Sequence, residues 1–198
     1  MHRLADEEQN NEEEKKAPSK GMFEKLLETR TITIFGEINM KLAQEITQKL
    51  LVLAADSDEP IKIFVNSPGG HVESGDTIFD MIRFIKPPVK MIGTGWVASA
   101  GALIYAAAAK GNRYSLPNTR FLLHQPMGGA MGQASDIAIE AEEILKMRAR
   151  LNEIFAEATG QELEKVTKDT DRNFWMSASE AVEYGLVDQI VSSVDEVA

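Results

Sequence analysis

Five short apolar runs, set among segments of helical period, constrain this chain more than any other feature. Thr31 to Phe35 (TITIF) and Ile61 to Val65 (IKIFV) are apolar, β-branched stretches of strand length. Asn39 is a fair N-cap for a helix with Leu42, Ile46, Leu50 and Leu53 on one face. A second helix, with Ile78, Ile82 and Ile85 aligned, ends at Pro87-Pro88. Val89 to Gly93 reads as a third strand, Ser99 to Ala109 as an alanine-rich helix suited to close packing, and Arg120 to His124 as a fourth strand. Gln133 to Thr159 keeps helical spacing at Ile137, Ile144, Leu151 and Ile154 until Gly160 ends it. Ser179 to Tyr184 then leads into a last strand at Leu186 to Val191. Strands alternating with helices predict an α/β fold with parallel strands covered on their faces. The helix from Gln133 is long enough to project from a domain of this size and so to act as an oligomer contact.

A chain of 198 residues, 43% hydrophobic and 26% charged, suits one globular domain. Residues 1–20 are rich in acids and bases and nearly without large apolar side chains, which predicts a disordered acidic arm ahead of a domain over 21–198. A net charge of -10 gives no overall electrostatic reason to expect nucleic acid or an anionic membrane as partner. With no cysteine, disulfides and thiolate metal sites are excluded, and the N-terminus lacks the apolar core of a secretory signal, so a cytoplasmic setting is expected. Lys, Asp or Pro interrupts every apolar run well short of the roughly 20 residues a membrane helix needs.

Gly95 to Gly101 (GWVASAG) sets Ser99 between a strand and a helix, among residues small enough for a substrate carbonyl to come close. A serine N-cap on a buried helix fits the same segment equally well. Of three histidines, His2 lies in the arm, His71 follows a Pro-Gly-Gly turn and has the character of an exposed helix start, and His124 ends an apolar strand before a Gly-rich stretch. His124 is thus a candidate base for Ser99, against the commoner role of a core histidine tied to a carbonyl. Asn66 to Gly70 (NSPGG) lets a ligand approach bare backbone N–H groups, or simply connects strand to helix. No Gly-Lys-Ser/Thr follows to make a phosphate loop, and no His-x-x-x-His pair supports a metal site.

Taken together, Asn66 to Gly70, Gly95 to Gly101, Leu123 to Gly129 (LHQPMGG) and Glu180 to Asp188 (EAVEYGLVD) resemble the ClpP family of caseinolytic proteases in order and spacing, over about Thr31 to Ser192. The resemblance implies a ClpP/crotonase-like α/β fold of repeated β-β-α units, with a projecting handle helix over about 128–160. It implies an ATP-dependent protease's proteolytic subunit, a serine endopeptidase that cuts unfolded proteins to short peptides inside a ring-shaped chamber. Ser99 would attack the peptide carbonyl, His124 would take its proton, and the N–H groups of Gly70 and Ala100 would hold the oxyanion. Gly128 and Gly129 would pair with an extended substrate. The handle beginning at Gln133, with the charged pair Asp171 and Arg172, would join two heptamers into a tetradecamer. The proteolytic subunit would need no metal or organic cofactor, and ATP would be used by a partner AAA+ unfoldase.

Two positions depart from the family pattern. The third catalytic residue is an aspartate after Asp-Arg, and here Asp169-Thr170-Asp171-Arg172 is followed by Asn173. In a serine triad the carboxylate fixes the imidazole tautomer and stabilises the imidazolium; an asparagine oxygen can do only the first. The same change in a trypsin-type enzyme costs about 10⁴-fold in turnover. A slow or latent homomer is therefore expected, or else a weakly catalytic or non-catalytic ring subunit supporting an active paralogue in a mixed tetradecamer. The second departure is the acidic arm, which lacks the apolar segment that lines the family's axial pore. An acyl-CoA hydratase or isomerase of the related crotonase fold is the remaining alternative, and it needs no Ser/His pair at these positions.

Overall fold

The structure is a computed structural model and describes residues 20–129 and 131–197. Its elements in chain order are α1 (Lys20–Glu28), β1 (Thr31–Phe35), α2 (Met40–Asp56), β2 (Ile61–Ser67), α3 (Val72–Phe84), β3 (Val89–Ala98), α4 (Ala100–Ala106), β4 (Arg113–Ser115) and β5 (Arg120–Leu123). They continue with α5 (Ala134–Thr159), α6 (Leu163–Asp169), β6 (Phe174–Ser177), α7 (Ala178–Tyr184) and β7 (Gln189–Ile190), then a 3₁₀ turn over Val194–Glu196. The acidic arm expected over residues 1–20 lies outside the described residues except at Lys20, where α1 begins.

β1, β2, β3, β4 and β7 form a parallel sheet in that order. β3 is long enough to serve two neighbours: Met91–Gly93 pairs with β4, whereas Trp96–Ala98 pairs with β5. Between these halves Gly95 takes φ 63°, and the register with β2 shifts between Val65 and Ser67, so the strand changes partner where its ladder is broken. β6 then adds antiparallel to β5. The expected α/β organisation holds, with one antiparallel strand added to it.

The core lies between the sheet and α2, α3 and α4. Ile32, Ile34, Ile63 and Val65 of the strands meet Ile46, Leu50, Ile78 and Ile82 of the helices. Burying each such side chain contributes about 1.5–3 kcal/mol. Every residue of α4 is buried, as its alanines predict. Asn39 caps α2 by accepting from the Leu42 N–H at 2.9 Å, and Gly160 closes α5 with φ 73°. Only the second half of α5 packs on the body, through Leu151, Asn152, Phe155 and Thr159, while its first half stands in solvent.

The Glu180 to Asp188 motif proves structural. Glu180 completes a capping box with Ser177, Gly185 provides the left-handed cap of α7, and Asp188 binds Arg113.

Candidate active site

The end of β3 delivers Ser99 in a strained conformation, φ 54° and ψ -122°, which costs a non-glycine residue about 1–3 kcal/mol. Main-chain bonds hold it there. Its N–H donates to the Leu122 carbonyl, and its own carbonyl accepts from the Leu103 N–H, both at 3.0 Å. The side chain makes no capping bond to α4, so Ser99 is not the ordinary N-cap that the sequence also allowed.

The Gly69-Gly70 turn fits between Ser99 and Ile38 because both positions lack a Cβ, Gly69 facing the serine and Gly70 facing Ile38. They take φ 100° and 146°; a Cβ on Gly69 would stand 2.6 Å from Ser99 Cβ, and one on Gly70 would stand 2.2 Å from the Ile38 carbonyl oxygen. Buried Ser67 ties the turn down by donating to the Gly36 carbonyl at 2.6 Å and accepting from the Gly69 N–H at 3.1 Å. The Gly70 N–H donates to no protein acceptor among the described residues. Ala100 is the first residue of α4, where the N–H has no intrahelical partner. The N–H groups of Gly70 and Ala100 are thus two main-chain donors without an acceptor among the described residues.

His124 and Asn173 are set together by strand register. β5 and β6 are antiparallel with Leu123 opposite Phe174, so the next residue on one strand faces the preceding residue on the other. His124 Nδ1 is 3.1 Å from Asn173 Oδ1. With that oxygen facing the ring, Nδ1–H donates and Nε2 is left bare, the tautomer a general base needs. No carboxylate among the described residues hydrogen-bonds His124.

Ser99, Ala100 and His124 line one small pocket whose other walls are Val72, Leu103, Pro126, Leu151 and Phe155. No hydrogen bond joins Ser99 to His124 among the described residues. His71 stands apart: its ring is bonded to Ser74 Oγ at 2.8 Å and to the Glu73 carboxylate at 3.1 Å, consistent with an exposed helix start. Gly128 and Gly129 lie in exposed irregular chain after β5, and Gln133 occupies the N-cap position of α5 without a capping bond. Asp171 pairs within the chain with Arg148 at 2.9 Å, and Arg172 is exposed with no ion pair among the described residues. No group of three or more His, Asp or Glu poised to hold a metal occurs among the described residues.

Sequence reasoning did not single out Gln125, Thr170 or Asn152, whose hydrogen bonds hold the segment bearing Asn173. The one available signal was Asn152, a polar residue on the apolar stripe of α5.

The chain matches the Clp protease family model over residues 13–194. It is 60% identical over 194 residues to an ATP-dependent Clp protease proteolytic subunit 3 of Rhizobium etli, covering 98% of this chain and 100% of that one. It is also 60% identical over 176 residues to a proteolytic subunit 2 of Pseudomonas aeruginosa, covering 89% of this chain and 88% of that one. Among solved structures, ClpP1 from Listeria monocytogenes matches with a TM-score of 0.81 at 55% identity, covering 89% of this chain and 99% of that one. An Asn-to-Asp mutant of that protein matches with a TM-score of 0.84 at the same identity and coverage. An α/β ClpP-like fold, a family model matched over most of the length and relatives alike from end to end agree on one assignment: the chain belongs to the Clp protease family.

Proposed function

We propose that Ser99, His124 and Asn173 form the catalytic set of a serine endopeptidase subunit that is slow or latent as a homomer. As a Clp protease proteolytic subunit, the chain is a serine-type endopeptidase acting on unfolded proteins. In the proposed mechanism Ser99 Oγ attacks the peptide carbonyl and passes its proton to His124 Nε2. The tetrahedral oxyanion takes the N–H groups of Gly70 and Ala100, and His124 protonates the leaving amine. Water then hydrolyses the acyl-enzyme by the same proton path. The pocket walls Val72, Leu103, Leu151 and Phe155 favour an apolar side chain at the cleaved bond, and Gly128-Gly129 would pair with the extended substrate.

The observation that carries this reading is the contact of His124 Nδ1 with Asn173 Oδ1 beside a strained, uncapped Ser99. An amide oxygen can orient the imidazole. It cannot offset the positive charge that forms on the ring in the transition state, and the slowness follows from that difference.

The assembly proposed is a heptamer stacked into a tetradecamer, with the helix from Gln133 as handle, Asp171 and Arg172 at the ring interface, and an AAA+ unfoldase as the ATP-using partner in the cytoplasm. Support comes from the exposed first half of α5 and from exposed apolar residues such as Phe35, Phe84 and Ile139. The finer description of crotonase-like β-β-α repeats is supported by β3, which changes partner from β4 to β5 along its length.

A second reading, a weakly catalytic subunit that supports an active paralogue, is favoured by the Ser99–His124 hydrogen bond not being formed in the isolated chain. A serine-directed fluorophosphonate tests both. Labelling of the homomer that is lost in Ser99→Ala supports the enzyme. Labelling only after mixing with a paralogue supports the mixed assembly, and no labelling in either state contradicts the role of Ser99.

A further inference from the structure

Asn173 is exposed, and among the described residues its side-chain amide makes one hydrogen bond, to His124. Its place is therefore set by the main chain of residues 170–173, which runs into the β5–β6 pair at Phe174 and is tied down before it by Thr170 and Gln125. Thr170, 1% exposed, directs its hydroxyl at Asn152 Oδ1 (2.9 Å) and at the Val166 carbonyl (2.8 Å), which ties the segment to α5 and α6. Gln125, the residue after His124, ties it to the end of β5. Its N–H donates to the Thr170 carbonyl and its Nε2 donates to the Asp171 carbonyl, both at 2.7 Å.

We infer that Gln125 is a positioning residue whose side-chain amide holds Asn173 at bonding distance from His124 and so orients the imidazole toward Ser99. This rests on the reading of Asn173 as the third catalytic residue. The main-chain bond from Gln125 to Thr170 survives any substitution except proline. Without the side-chain bond, the stretch from Asp171 to Asn173 is held at its ends, by Thr170 and by the Leu123–Phe174 pair, and by the Arg148–Asp171 ion pair, but the Asp171 carbonyl beside Asn173 loses its tie to the end of β5. An aspartate at 173 would be drawn back to the ring by its charge. A neutral asparagine has only an ordinary hydrogen bond, so its alignment depends on the clamp.

The test is Gln125→Met, which keeps the side-chain length and removes the donor, made in the wild-type, Asn173→Ala and Asn173→Asp backgrounds. The measurements are the rate of Ser99 labelling by a fluorophosphonate and the kcat and KM for a short peptide, with native mass to confirm assembly. The expected result in the wild-type background is a roughly three- to tenfold loss in labelling rate and kcat with KM unchanged. The loss should vanish in Asn173→Ala and shrink in Asn173→Asp. The same loss in all three backgrounds would show a merely structural glutamine and overturn the inference while leaving the role of Asn173 standing. An Asn173→Ala protein as reactive as wild type would overturn both. Should Gln125→Met fail to assemble, Gln125→Ser, which removes the reach but stays polar, carries the same cycle.

Discussion

The buried Arg113 guanidinium closes around the Asp188 carboxylate, with Nη2 3.3 Å from Oδ1 and Nε 3.4 Å from Oδ2. The same carboxylate accepts main-chain N–H groups from Gly111 at 2.7 Å and Arg113 at 2.9 Å, and Arg113 Nη1 donates to the Ala158 carbonyl at 2.7 Å. One ion pair thus fastens β4, the end of α5 and the approach to β7. Removing one partner leaves a buried charge uncompensated. Asp188→Ala is predicted to lower unfolding stability by about 3–5 kcal/mol, read as a fall in the denaturation midpoint. A loss under about 1 kcal/mol, as at a surface pair, would contradict this.

Two tyrosines govern behaviour in alkali. Burial pushes the Tyr105 phenol well above its ordinary range, and burial together with the hydrogen-bonded Asp169 carboxylate raises Tyr184. Both stay protonated in the folded protein at a pH where the unfolded chain ionises, about 10. Their stabilisation is full below that pH and is lost as pH rises through the folded values. Tyr184→Phe ionises in neither state. It should flatten the decline above about pH 10 while forfeiting a charge-assisted hydrogen bond of about 1.5–3 kcal/mol at pH 7. Urea titrations at the two pH values check it, and an unchanged alkaline slope would count against the assignment.

Gly69→Ala places a Cβ into Ser99 at a backbone conformation that side chains rarely adopt. The expected outcome is about 1–3 kcal/mol of destabilisation together with a sharp loss of Ser99 labelling. Thermal melts and labelling on one sample separate the effects, and full labelling with a normal melt would show that the turn can move away.

The proposed ring contact depends on Arg172 finding an acid in the opposite ring, since its neighbour Asp171 is already shared with Arg148 within the chain. Arg172→Glu should shift native mass from fourteen to seven subunits, and rising salt should weaken the wild-type contact in the same direction. Retention of the full assembly by Arg172→Glu would remove this residue from the interface.

β1, β2, β3 and β5 were legible in the sequence as short apolar runs, the helices α2, α3 and α5 by the period of the face each buries, and α4 by its alanines. The short α7 and the last strand were legible as well, the strand over Leu186 to Val191 where β7 covers only Gln189–Ile190. β4 and β6 were not: β4 spans three residues, too few for alternation to register, and β6 (Phe174–Ser177) has no period of its own beyond its pairing with β5. Yet β6 sets the site, because its antiparallel register brings Asn173 to His124. Ser99 and His124 could be named as candidates from local setting and from the scarcity of histidine. The Gln125 clamp could not, because two of its acceptors are main-chain carbonyls some 45 residues away, and carbonyls carry no residue identity.

The central claim is that an amide at position 173 orients His124 without supporting its charge. The direct measurement is kcat for a short peptide in wild type and Asn173→Asp, side by side, with native mass confirming equal assembly. The account predicts a gain of about 10- to 10⁴-fold for the aspartate. A wild-type homomer turning over at ordinary rates, with no gain from Asn173→Asp, would contradict it.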